Sequence, residues 1–274
     1  MTRSVRRTRR MLQLAGAGAA ALMALSACSS SDSKDADASP DASASSSAKL
    51  SGDVTVFAAA SLKESFSALG KEFESRHPGT KVNFNFGGSD TLAASITGGA
   101  PADVFAAASP KTMKIVTDKG DAVGTPATFV RNQLEIATLP GNPDKVSSLK
   151  DLTKSGLKVV LCDKTVPCGS AAQKALDAGK LELTPASYEQ DVKSALTKVE
   201  LKEADAAVVY KTDVKSAGGK VEGVEFPESA KAINDYPIVL LKNAPNAETA
   251  KAFIALVRSA EGQKVLSEAG FLKP

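Results

Sequence analysis

The hydrophobic period changes repeatedly along the chain after residue 50, and the changes mark alternating strands and helices. Val54-Thr55-Val56-Phe57-Ala58 is a short apolar run. Behind it Leu62, Phe66, Leu69 and Phe73 recur at helical spacing, opened by Ser61-Leu62-Lys63-Glu64 in capping-box form. Residues 81–86 then alternate like a strand, Gly87-Gly88 breaks the run, and Ser89 caps a helix carrying Leu92 and Ile96. A third strand, Asp103 to Ala107, precedes a helix from about Pro110 to Lys119. The long stretch Phe129–Thr138 exceeds what a buried strand needs and suits a crossover between two lobes. After it the rhythm resumes. A strand covers 158–161, a helix follows Gly169, and Asp191 caps a helix over 192–202. Strands cover 206–210, 221–226 and 236–241, and helices near 247–258 and 261–269 finish the chain.

Strands alternating with helices in this way predict a mostly parallel sheet covered on both faces. In such sheets a ligand sits beyond the carboxyl ends of the strands, where the next helix presents unpaired N–H groups and a partial positive charge. Four places share that geometry: Ser61, Ser89, the Cys168-Gly169-Ser170 turn, and Val192 just after Asp191. Together they would hold an anion with no ionised partner. The hydroxyls of Ser61 and Ser89, and of Tyr210 at a strand end, add donors. Taken singly, each has an ordinary structural role, the serines as caps and the tyrosine as core.

The N-terminus changes the picture of where the protein works. MTRSVRRTRR carries five arginines, and residues 11–27 are apolar or small and uncharged, the form of an export signal spanning 1–27. The run Leu25-Ser26-Ala27-Cys28 resembles a bacterial lipobox, which implies lipidation of Cys28. Residues 28–50 form a tether. Between 29 and 49 there are nine Ser, five Ala and four Asp and, apart from Pro40, nothing apolar larger than Ala, so ordering it would have no compensation. Its flexible reach is roughly 25 Å, enough to keep a folded body near the outer face of a membrane.

Without the five leader arginines, the 34 basic residues become 29 against 31 acidic, and no basic stripe with interleaved aromatics supports nucleic-acid binding. Cys162 and Cys168 are the remaining cysteines, and in an exported, oxidising setting a disulfide is the economical reading. With one histidine in the chain, a protein-held metal is disfavoured.

Six ordered segments are similar to the motifs of the periplasmic molybdate-binding protein family. They are Val56–Leu62, Asn85–Leu92, Gly99–Phe105, Val166–Gly169, Asp191–Leu196 and Ala207–Tyr210. The resemblance spans about residues 53–272 and implies a two-lobed α/β, type II periplasmic-binding-protein fold joined by two crossovers. Lobe 1 would comprise 51–130 plus 235–274, and lobe 2 131–234. It further implies a non-enzymatic, monomeric, extracytoplasmic lipoprotein that delivers molybdate or tungstate to an ABC permease, without a cofactor and with molybdenum present only as the oxyanion. Ser61 and Ser89 would donate hydroxyl and backbone N–H, Cys168 and Val192 backbone N–H, and Tyr210 its hydroxyl. Many relatives place alanine where this chain has Cys168. The rivals are sulfate or phosphate as ligand, and a serine hydrolase. The last needs a base, and the single histidine, His77, lies at a helix end in Ser75–Gly79, where a solvated loop residue is expected.

Overall fold

A computed structural model describes residues 49–274; the leader, Cys28 and all but the last two residues of the expected tether lie outside the described residues. The first lobe begins with strand β1 (Gly52–Ala59), helix α1 (Lys63–Arg76), β2 (Thr80–Gly87), α2 (Ser89–Thr97), β3 (Val104–Ala106), α3 (Pro110–Asp118) and β4 (Ala122–Asn132). Then come β5 (Leu134–Thr138), β6 (Val159–Cys162), α4 (Pro167–Gly179), β7 (Ser187–Glu189), α5 (Val192–Glu200), β8 (Ala206–Tyr210), α6 (Lys211–Ser216) and β9 (Glu222–Val224). The chain ends with β10 (Asn234–Leu241), α7 (Ala247–Arg258) and α8 (Ala260–Glu268). Among the described residues no helix is long and apolar enough to cross a membrane.

Two five-stranded sheets result, ordered β2-β1-β3-β10-β4 and β7-β6-β8-β5-β9. The two-lobed α/β class stands, but the expectation of mostly parallel sheets is corrected. In each sheet β–α–β units supply the parallel pairs, while β10 with β3 and β4, and β5 with β8 and β9, run antiparallel. The reason is connectivity. Strands that carry the chain from one lobe to the other enter their sheet without a crossover helix, and antiparallel pairing needs none.

The stretch Phe129–Thr138 divides at Gln133, which alone separates the end of β4 from the start of β5 in the other sheet. The return passes through a one-turn 3-10 helix, Pro227–Lys231, into β10. These two passages lie side by side, because Asn132 and Asn234 are direct partners in the β4–β10 ladder.

Apolar burial matches the predicted periodicity. In the first lobe Leu62, Phe66, Leu69 and Phe73 of the α1 segment pack on one sheet face, with Phe66 and Phe253 edge to face at 6.0 Å between ring centroids. The opposite face buries Leu92, Ile96, Met113 and Val116 from α2 and α3. In the second lobe Ala171, Ala172 and Ala175 of α4 and Ala195, Leu196 and Val199 of α5 cover strands β6 and β8. The alanines permit close helix-to-sheet approach, and this holds both helix starts firmly against the strand ends.

Candidate functional site

Neither serine caps its helix. Ser61 lies in a 3-10 turn, Ala60–Leu62, ahead of α1, with no capping hydrogen bond from its side chain. Its Oγ is instead 2.9 Å from the Tyr236 hydroxyl, and Glu64, expected to complete a capping box, pairs with Lys193 at 3.0 Å. Ser89 is the first residue of α2, whose N-cap is Gly88, and its Oγ accepts the Ala108 N–H at 3.0 Å. The capping expectation is therefore corrected at both positions, and both hydroxyls are left to face something else. Asp191 does cap α5, accepting from the Ser194 N–H at 2.9 Å. Val192 opens that helix, while Cys168 is the second residue of α4 behind Pro167. Helix-start N–H groups have no partner within their own helix.

Ser61, Ser89, Cys168, Val192 and Tyr210 all line one narrow cleft where the lobes meet. None of the five is more than 4 % exposed. Methyl groups of Ala59, Ala60, Ala108 and Val166 fill the spaces between the polar groups. Asp191 also borders the cleft, yet both its oxygens are engaged, Oδ1 by the Ser194 N–H and Oδ2 by the Ser194 hydroxyl at 3.1 Å. The cleft thus presents donors without a free carboxylate. A wider surface groove beside α8 and the C-terminus contains none of the five.

The hydrogen-bond directions fix where the hydroxyl protons go. Ser89 Oγ accepts from Ala108, and the Tyr210 hydroxyl accepts from Asn234 Nδ2 at 2.6 Å. Among the described residues no bond of ordinary geometry gives either hydroxyl an acceptor for its own proton, although Tyr236 neighbours Tyr210, with ring centroids 6.1 Å apart, and adds to the rise of its phenol. Burial raises the Tyr210 phenol well above its ordinary value, and burial likewise raises Tyr236, so both remain protonated donors.

Behind Tyr210 lies a charged cluster. Asp213, fully buried, accepts the Tyr210 N–H at 3.1 Å and lies 3.2 Å from Lys193 Nζ. Burial raises its carboxyl to about 6, and the neighbouring Lys193 charge opposes that rise. Lys193 also reaches Glu64 in the first lobe, so this ion pair ties the lobes beside the cleft.

Cys162 and Cys168 are joined in a disulfide, with Cα atoms 5.8 Å apart. It staples the end of β6 to the first turn of α4. Packing there is tight enough that a Cβ on Gly169 would sit 1.9 Å from the Asp163 carbonyl oxygen. His77 is the half-buried C-cap of α1, its ring 4.7 Å from that of Phe73. Ser61 Oγ is bonded to a tyrosine and Ser89 Oγ to a backbone amide, so neither of these two serines has a general base as its hydrogen-bond partner. Among the described residues no group of three or more His, Cys, Asp or Glu is placed to hold a metal ion.

Sequence reasoning missed Tyr236, Asn132, Asn234 and the Lys193–Asp213 pair. The one available signal was a polar asparagine beside each apolar run that passes between lobes.

The sequence profile of the bacterial extracellular solute-binding protein family matches residues 54–272. The molybdate-binding protein ModA of Mycobacterium tuberculosis is 43% identical over 221 residues, covering 81% of this chain and 85% of that protein. The substrate binding domain of a putative molybdenum ABC transporter from Clostridium difficile is 31% identical with a TM-score of 0.61, covering 82% of this chain and 100% of that one. The periplasmic molybdate-binding protein of Azotobacter vinelandii, 21% identical, shares the fold at a TM-score of 0.71 over 81% of this chain and 99% of its own. With the profile covering almost all of the described residues, this chain belongs to the family of bacterial extracellular solute-binding proteins, alongside its molybdate-binding relatives.

Proposed function

We propose that the protein captures molybdate outside the cytoplasm and delivers it to the permease of an ABC importer. The observation that carries this reading is the donor-rich cleft: five buried residues from both lobes, with the hydroxyl oxygens of Ser89 and Tyr210 already accepting from protein N–H groups and no free carboxylate. A fully deprotonated tetrahedral dianion offers only acceptors, so it is complementary to such a cage. The donors are the backbone N–H groups of Ser61, Ser89, Cys168 and Val192 and the hydroxyls of Ser61, Ser89 and Tyr210. Each hydrogen bond to a charged group contributes about 1.5–3 kcal/mol, and seven together offset dehydration of the ion. Donors arrive from both lobes, so the ligand itself draws the lobes together about the two passages at Gln133 and 225–233.

Tungstate, of the same shape and charge, is accepted alongside molybdate, whereas sulfate is too small to reach all the donors at once. No cofactor takes part, and the protein does no chemistry on its cargo. Lipidation at Cys28 with a tether behind it keeps this monomer at the outer face of the membrane. The test is calorimetric titration of the purified protein with molybdate, tungstate and sulfate. Stoichiometric binding of the first two and weak binding of the third is expected. No heat and no shift in melting temperature with molybdate refutes the reading.

A further inference from the structure

We infer that Asn234, paired with Asn132 where the chain passes between lobes, is a positioning residue that sets the proton direction of the Tyr210 hydroxyl and thereby makes the cleft reject anions that carry a proton. The inference rests on the oxyanion reading above and assigns a role to a residue outside the set of donors.

Asn234 is 6 % exposed, and its Nδ2 lies 2.6 Å from the Tyr210 hydroxyl and 3.2 Å from the Pro167 carbonyl oxygen. A carbonyl only accepts. The amide nitrogen, not its oxygen, must therefore face this pair, and the tyrosine oxygen has no choice but to accept. With that lone pair used, the phenolic proton turns to the cleft. Asn132 repeats the device. Its Oδ1 accepts the Gln133 N–H at 3.0 Å, which turns Nδ2 toward Thr212 Oγ1 at 2.9 Å and the Tyr236 hydroxyl at 3.3 Å. The Tyr236 hydroxyl, accepting there, lies 2.9 Å from Ser61 Oγ, a bond in which either oxygen can be the donor.

Both asparagines belong to first-lobe strands and both donate to second-lobe groups, Thr212 from one and Tyr210 and Pro167 from the other. The two residues that face each other at the hinge therefore also dictate the direction of the hydrogen bonds they give to Tyr210, Tyr236 and Thr212. An anion bearing a proton would, beside Tyr210, bring that proton against backbone N–H groups and a hydroxyl whose oxygen already accepts from Asn234, leaving a buried polar hydrogen without a partner there.

The decisive variant is Asn234→Asp, the same shape with two acceptors in place of the amide. The carboxylate takes the Tyr210 proton, and the phenol oxygen then presents a lone pair to the cleft. Molybdate and hydrogen phosphate are both dianions near pH 8, so added charge repulsion cancels from the ratio of their affinities. That ratio is expected to move toward hydrogen phosphate by about tenfold or more. The movement should vanish when Asn234→Asp is combined with Tyr210→Phe. A ratio changed by less than about twofold, or an equal change in the double variant, overturns the inference. Should Asn234→Asp fail to fold, Asn234→Ala supplies the reading. Its loss of molybdate affinity must largely disappear in the Tyr210→Phe background, and independent, additive losses refute the role. Failure of the unmodified protein to bind molybdate is a separate result, which removes the oxyanion reading itself.

Discussion

A single methyl group at Gly88 should separate the binding reaction from folding. Gly88 is the N-cap of α2 with φ −60° and ψ 130°, a conformation open to any residue. A Cβ added there would lie 2.6 Å from the Gln190 carbonyl oxygen and 3.6 Å from Val166 Cγ1, both in the opposite lobe. Its third neighbour, Asp90 Oδ1 at 2.8 Å, is a side chain of its own helix and can swing aside. The carbonyl cannot, so the lobes must part by roughly 0.6 Å or more, which stretches a 2.9 Å hydrogen bond to the edge of the useful range. The second-lobe donors, Cys168 N–H, Val192 N–H and the Tyr210 hydroxyl, all move with Gln190. Losing two of the three at the lower figure of about 1.5 kcal/mol each costs about 3 kcal/mol, on the order of 100-fold in affinity. Ligand-free stability should be unchanged or raised by about 0.5 kcal/mol, since alanine restricts the unfolded chain. Calorimetric titration of Gly88→Ala with molybdate, beside its melting curve without ligand, reads both quantities. Affinity within about threefold of the parent would refute the argument that the lobes close to this distance around the anion.

Two further outcomes follow from the same geometry. Ser89→Ala removes one donor to the ligand and should weaken molybdate binding about 10- to 100-fold by titration, while orphaning the Ala108 N–H costs about 1 kcal/mol in denaturant unfolding; unchanged affinity would exclude Ser89 from the site. Asp213, raised from 3.8 to about 6, keeps its proton in the folded protein at a pH where the unfolded chain has lost it. Its contribution to stability is therefore full below about 3.8 and falls as pH rises through about 6, a loss of about 2 kcal/mol relative to Asp213→Asn between pH 4 and pH 7. Unfolding of both proteins across that range measures the difference, and a difference curve that is flat or rises with pH contradicts the burial argument.

The periodicity of the chain disclosed most helices and strands, because Leu62, Phe66, Leu69 and Phe73 or Val54 and Val56 bury one face each, and burial is what the pattern records. It also located the four helix starts. It gave Ser61 and Ser89 the wrong partners, since a capping serine and a serine bonded to Tyr236 or Ala108 look alike until strands β1, β3 and β10 are laid side by side. The three-residue β7 is too short to show any alternation. Asn132 and Asn234 are 102 positions apart, and their meeting depends on an antiparallel register that no local pattern encodes. What the sequence left hidden is thus the set of groups that orient the donors, not the donors themselves.

The placement of β10 between β3 and β4 imposes an order of assembly. A nascent chain produced from its N-terminus has β1, β2 and β3 early, but the far edge of β3, with Val104, Phe105 and Ala106 all buried in the finished protein, stays open until residues 234–241 are made. The second sheet draws only on residues 134–224 and can be whole before that strand exists. The lobe whose residues come second in the chain is therefore the one able to finish first. Until its completion brings Asn234 back beside Asn132, the first lobe carries an unpaired apolar edge, the kind of surface that recruits other chains and invites aggregation.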